Sequence, residues 1–165
     1  MNIPVMMRQI YEGDLDGAAY TVTNGLVFPG TLGYVCPAPC QSPCRRKSYD
    51  QTMEIKLLHR EVSEKALIDN PELLDCPEDT GKKVAIIGGG LCGMSSAWVL
   101  RKKGHACTVF EKEAKAGGKV RALTEEELPK GVLDAEIDFI ERLGVKFECG
   151  TEINGNGDLE VNKMS

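Results

Sequence analysis

Apolar positions change their spacing twice along the chain. Over residues 1–25 they recur at helical intervals in two short runs. Pro4 suits a first helical position and Gly13 can end that helix. Asp14 can cap a second helix, in which Leu15, Ala18, Ala19 and Val22 form one apolar stripe and Gly25 supplies the stop. Residues 27–47 interrupt the pattern with Pro29, Gly30, Gly33, Pro37, Pro39 and Pro43, so the spacing predicts a loop there and no helix. A helix returns over 52–69, where Ile55, Leu58, His59, Val62 and Ala66 share a face. Asn70-Pro71, Cys76-Pro77 and Thr80-Gly81 then mark 69–81 as a linker.

Beyond the linker the pattern alternates between strand and helix. Residues 83–87 form a short, nearly all-apolar run, as expected of a strand buried in a parallel sheet. A helix follows over 91–103, ended by Gly104, and 106–110 is a second apolar strand. Pro129 opens a helix that runs to 143 before Gly144, and 145–149 reads as a further strand. The polar stretch from Asn154 onward reads as a frayed end. The fold class expected is α/β: a small α-helical domain over 1–79, then a partial Rossmann-like βαβ domain over 80–165.

The 165 residues suit one ordinary domain or two small ones, and 42% hydrophobic with 27% charged residues lies in the range of soluble globular proteins. A net charge of −5 argues against a nucleic-acid partner. No basic-then-apolar leader opens the chain, and no apolar run approaches the ~20 residues that span a bilayer, so the expected location is cytoplasmic and away from membranes. The cysteine count of 7 is odd, and Cys36, Cys40 and Cys44 are clustered, which fits metal ligation in a reducing compartment better than a disulfide scaffold. Cys76, Cys107 and Cys149 fall in the linker and two strands and read as structural.

The sharpest motif is Gly88-Gly89-Gly90-Leu91-Cys92-Gly93, a G-x-G-x-x-G set between a strand and a helix. Gly88 permits the tight turn, Gly90 leaves room for a pyrophosphate, and Gly93 lets the helix pack on the strand. The helix N-terminus at Leu91 and Cys92 offers free N–H groups to phosphate. Glu111, at the end of the second strand, stands where a carboxylate accepts hydrogen bonds from a ribose, followed by Lys112. That carboxylate repels a 2′-phosphate, so this half should not prefer NADP. A glycine turn without ligand is the alternative, and the agreement of strand, motif, helix, strand and acid argues against it. Cys92 reads as a packing residue or a redox group.

NAD and FAD share these features. Glu111 followed by Gly117-Gly118 resembles the acid and glycine doublet of two-dinucleotide-binding flavoproteins, which points to FAD. The wider set of motifs comprises Asn2-Ile3-Pro4, Tyr11-Glu12-Gly13-Asp14 and Gly33-Tyr34-Val35-Cys36-Pro37-Ala38-Pro39-Cys40. It continues with Cys44, the fingerprint, Gly104-His105, Val109-Phe110-Glu111-Lys112 and Leu128-Pro129-Lys130. Together they resemble the small subunit of NADPH-dependent glutamate synthase and the matching N-terminal region of dihydropyrimidine dehydrogenase, over about residues 2–150. The resemblance implies an N-terminal domain carrying [4Fe–4S] clusters that exchange electrons with FAD. Cys36, Cys40 and Cys44 match the second of the family's two cysteine clusters, and His59 stands where the family has a Gln or Glu ligand.

Imidazole and thiolate are both competent iron ligands. From the residues alone, His59 is a core histidine or a ligand, and the cysteines are cluster ligands, structural groups or a zinc site with His59. The resemblance also brings departures. The family's earlier cysteine run is expected to precede Asn2, so either a partner chain completes the clusters, or only one cluster, or none, is held. Where the family has a Gly-Ile-Pro segment the chain reads Lys119-Val120-Arg121-Ala122-Leu123-Thr124-Glu125-Glu126-Glu127, and a counterpart of the family's nicotinamide-binding domain is not expected within these 165 residues. The reading that results is an electron-transfer module of an FAD and iron–sulfur oxidoreductase, working among other subunits with an electron donor and acceptor. No residue stands out as a catalytic acid, base or nucleophile. The competing reading is a non-catalytic assembly subunit, or a fragment, of such a complex.

Overall fold

A computed structural model describes residues 1–69 and 78–153. By internal contacts the chain divides into two compact units, Met1–Leu73 with Thr124–Val132, and Leu74–Leu123 with Leu133–Ser165. The linker signals at 70–77 and the polar stretch from residue 154 lie outside the described residues.

The first unit is helical. Helix α1 (Ile3–Glu12) starts at Asn2, whose side chain accepts the Val5 N–H, and ends at Gly13 in the left-handed conformation at φ 80°. Helix α2 (Leu15–Gly25) is capped by Asp14, which accepts the Gly17 N–H at 2.9 Å. Met6, Ala18, Ala19, Val22 and Val62 form its buried core, with Ile3, Met7, Ile10 and Leu58 packed around them. Ala18, Ala19 and Val22 of the expected stripe thus meet α1 and the helix α4 (Ile55–Asp69), whereas Leu15, at the first turn of α2, is 45% exposed.

The prolines of 27–47 do not exclude a helix, contrary to the reading of the sequence. Helix α3 (Pro29–Val35) begins with Pro29 at its first turn, where the missing N–H costs nothing. It ends at Cys36, just before Pro37, so the helix fits between prolines instead of passing through one. Gly33 faces α4 so closely that a Cβ there would run into the Arg60 side chain. That guanidinium lies 4.7 Å from the Tyr34 ring centre.

In the second unit, β1 (Lys83–Ile87), β2 (Ala106–Glu111) and β3 (Lys146–Cys149) form a parallel sheet in the order β1-β2-β3. Helix α5 (Leu91–Arg101) carries the chain from β1 to β2, and α6 (Lys130–Arg142) precedes β3. Register places Ile87 opposite Phe110 and Glu111 opposite Cys149, which aligns the C-terminal ends of the strands. In β2, Cys107, Val109 and Glu111 are buried in alternation. Strand β1 is less covered than its apolar run suggests: Val84, Ala85 and Ile86 are half-buried and Ile87 is 58% exposed. The reason is its position, because among the described residues β1 lies at an edge of the sheet. The fold is therefore α/β, with a helical N-terminal region followed by a Rossmann-like βαβ arrangement.

Candidate functional site

Parallel sheets with helical crossovers bind ligands beyond the carboxyl ends of their strands. A cleft of about 870 Å³ opens there, lined by Ile87 and Gly88 after β1, Glu111 and Lys112 after β2, and Thr151 after β3. Lys115, Lys119 and Arg121 add positive charge along its wall.

The glycines of the fingerprint have different causes. Gly88 takes φ 98°, a conformation that L side chains rarely adopt. A Cβ on Gly93 would collide with the Gly88 carbonyl, so this glycine lets α5 approach the strand end. Gly90 has an ordinary φ of −76°, and its missing Cβ faces open space. Among the described residues no packing accounts for glycine at that position, whereas room for a ligand does. No side chain caps α5 at Gly90, so the N–H groups of Leu91, Cys92 and Gly93 meet no capping carboxylate or hydroxyl. These features fit a dinucleotide diphosphate.

Glu111 is 6% exposed and shapes the loop from the other side. Its carboxylate accepts the Gly89 N–H at 2.6 Å and the Glu113 N–H at 3.0 Å. Two oxygens offer about four acceptor positions, so two remain for ribose hydroxyls. Lys112 is exposed beside it and lies 4.0 Å from Glu113. Cys92 is exposed on the first turn of α5, so packing is not its role.

The glycine doublet is explained largely within the protein. Gly117 donates its N–H to the Gly89 carbonyl at 2.8 Å, and a Cβ on Gly118 would lie 2.9 Å from Gly90 Cα. The two glycine loops are thus packed backbone to backbone. Sequence reasoning named one loop from each strand end but missed the basic residues between them. Lys115, Lys119 and Arg121 bracket the doublet in the sequence, and that clustering was the available signal.

In the N-terminal unit, Cys36 and Cys44 are half-buried and Cys40 is exposed. The Cys36 sulfur accepts the Ala38 N–H at 3.4 Å, while Ala38 takes the left-handed conformation at φ 52°. Backbone N–H groups, that of Met53 foremost and then that of Arg46, hold the Cys44 thiol below its ordinary pKa. Lys56, a residue singled out by nothing in the sequence, donates to the carbonyls of Tyr34 at 3.3 Å and Cys36 at 3.2 Å. It fixes the backbone at the entry to the cysteine loop.

His59 is 5% exposed and its Nδ1–H donates to the Pro29 carbonyl at 3.0 Å. Burial pushes its pKa below the ordinary imidazole value. The hydrogen bond leaves Nε2 as the unprotonated nitrogen, which is the form a ligating histidine needs. Among the described residues, however, no three His, Cys, Asp or Glu side chains converge to hold a metal ion. Cys107 is buried in β2, and Cys149 is exposed at the end of β3.

Comparison with known proteins divides the chain in the same sense. Residues 1–70 match the family described as dihydropyrimidine dehydrogenase domain II, 4Fe-4S cluster, and residues 86–151 match the NAD(P)-binding Rossmann-like domain. The chain is 36% identical, over 93% of its length, to the NAD-dependent dihydropyrimidine dehydrogenase subunit PreT of Escherichia coli, of which it covers 38%. It is 34% identical, over 92% of its length, to the glutamate synthase [NADPH] small chain of Bacillus subtilis, covering 31% of that protein. With the NADPH-Fe(3+) oxidoreductase subunit beta of Geobacter sulfurreducens it shares 32% identity over 99% of its length, covering 25% of the relative. The chain therefore spans a quarter to two fifths of the proteins it matches. Among the described residues, no helix is long and apolar enough to cross a membrane.

Proposed function

We propose, from the kinship of this chain over nearly its whole length with the glutamate synthase small-subunit family, that it is an electron-transfer module of a larger oxidoreductase. In this reading residues 1–79 hold a [4Fe–4S] cluster and residues 80–165 bind FAD. The observation that carries it is the cleft at the strand ends, with Gly90 opening onto free space and the Glu111 carboxylate buried beside it.

FAD and the cluster, when bound, supply the redox chemistry; the protein supplies position and electrostatics. The N–H groups at the start of α5, with Gly88, Gly90 and Gly93, receive the diphosphate. Glu111 accepts from the ribose and holds the loop through Gly89. Lys112, Lys115 and Lys119 offset the negative charge of the phosphates. Gly117 and Gly118 close the cradle against Gly89 and Gly90. Cys36, Cys40 and Cys44 supply three thiolates, and the Ala38 N–H donates to the Cys36 sulfur. A fourth ligand is His59 through Nε2 or a group of a partner subunit. Partners are the other subunits of the complex and the proteins or domains that give and take electrons.

One observation favours the second reading, a scaffold subunit that holds a cluster only together with its partner, or no cofactor at all. Among the described residues the metal-binding side chains do not converge. Anaerobic purification, an absorption spectrum, and iron and flavin counted per chain separate the two. Flavin near one per chain together with about four irons supports the module. A folded chain carrying neither leaves the scaffold.

A further inference from the structure

Arg121 lies just after the glycine doublet, and its side chain is heavily engaged. Its Nε–H donates to the Ala116 carbonyl at 2.6 Å and its Nη2–H donates to Asp134 Oδ1 at 2.7 Å. Ala116 immediately precedes the glycine doublet, and Asp134 lies on the second turn of α6. The Arg121 side chain is only 22% exposed and also lines the cleft. A Cβ on Gly117 would lie 2.9 Å from Arg121 Nε and 3.1 Å from Leu133 Cδ2, so the guanidinium passes directly against the doublet. The 3-10 turn Gly118–Ala122 supplies this geometry, because it folds Arg121 back over the residues that precede it.

We propose that Arg121 is a positioning residue of the dinucleotide cleft, clasping the glycine-doublet loop to α6 and so setting the loop on the Gly88–Gly90 turn. The proposal rests on the dinucleotide reading given above. The chain of contacts is short. Arg121 fixes the Ala116 carbonyl, the next residue Gly117 donates to Gly89, and Gly89 in turn donates to Glu111. An arginine suits this place because its planar fork reaches a carbonyl and a carboxylate at once, which a lysine ammonium cannot reproduce. With the clasp in place the cradle stands in its binding form before the ligand arrives, and none of its order has to be created on binding.

The test uses the full chain with Arg121→Met, Arg121→Lys and Asp134→Asn. Hydrogen exchange at the Gly117 amide is read without cofactor, and FAD affinity is read by flavin fluorescence titration. In Arg121→Met, Gly117 exchange should rise about tenfold or more, and the FAD dissociation constant should rise by a similar factor. Arg121→Lys should recover part of both effects. Asp134→Asn should move both in the same direction by less, and it carries the test if the methionine variant does not fold. Faster exchange with weaker FAD binding, at an unchanged melting transition of the helical unit, supports the positioning role. Unchanged exchange, or faster exchange with unchanged affinity, overturns it. If the unaltered chain takes up no FAD, the dinucleotide reading and the positioning role fall together. Uptake by the unaltered chain with unchanged affinity in the variants removes the positioning role alone.

Discussion

Glu111 has two backbone donors and a buried position, so it serves the loop before any ligand arrives. Glu111→Ala strands the Gly89 and Glu113 N–H groups and should destabilise the second unit by about 1–3 kcal/mol, read from chemical denaturation. Glu111→Gln keeps an acceptor for one of them and should lose less. A similar argument applies to His59, whose folded pKa is depressed by burial. The unfolded chain then binds the proton more readily, so the stability tied to the neutral ring is full above about pH 6.5 and declines as pH falls below it. In the iron-free chain, the urea midpoint of the helical signal should drop between pH 7.5 and 5.5. His59→Gln, which retains a donor for the Pro29 carbonyl, should flatten that dependence. The buried state of His59 was legible in the sequence from its place on the apolar face of α4. Its bond to Pro29 was not, because the carbonyl belongs to a helix that the prolines had hidden.

Most of the helices and strands follow from spacing and punctuation. Asn2 and Asp14 cap α1 and α2, Gly13 and Gly104 end helices in the left-handed conformation, and the strands fall on the short apolar runs. Helix α3 is hidden by the prolines of 27–47, because Pro29 occupies the one turn that tolerates proline. The glycine motif was legible as a site, but the doublet's main duty was not. Gly118 is small because Gly90 lies against it, a contact between segments far apart in the chain that no local pattern encodes. The same reasoning predicts that Gly93→Ala, which forces a methyl onto the Gly88 carbonyl, costs about 1–3 kcal/mol and lowers the melting temperature of the second unit. In the first unit, Met6 is fully buried against α2 and α4, and Met6→Ala should cost about 2–5 kcal/mol by leaving a cavity.

At the scale of the whole molecule, two compact units place different chemistry in different parts of one chain. If a cluster is held by the cysteine loop, its ligands are ordered by iron as well as by Lys56 and Ala38. Removing iron with a chelator should then lower the thermal transition of the helical signal, while flavin fluorescence changes little. Equal shifts of both signals would contradict separate loading of the two units. The sheet carries a further consequence. Gly88 N–H bonds the Phe110 carbonyl and Ala106 N–H bonds the Lys82 carbonyl, so every second residue of β1 turns its amide toward β2. By that alternation the amides of Lys83, Ala85 and Ile87 look outward along the side that is open among the described residues. The free margin of the sheet is therefore written in steps of two. Any segment laid beside it must bring an acceptor opposite each of those three amides, and slipping by a single residue would silence all three bonds at once.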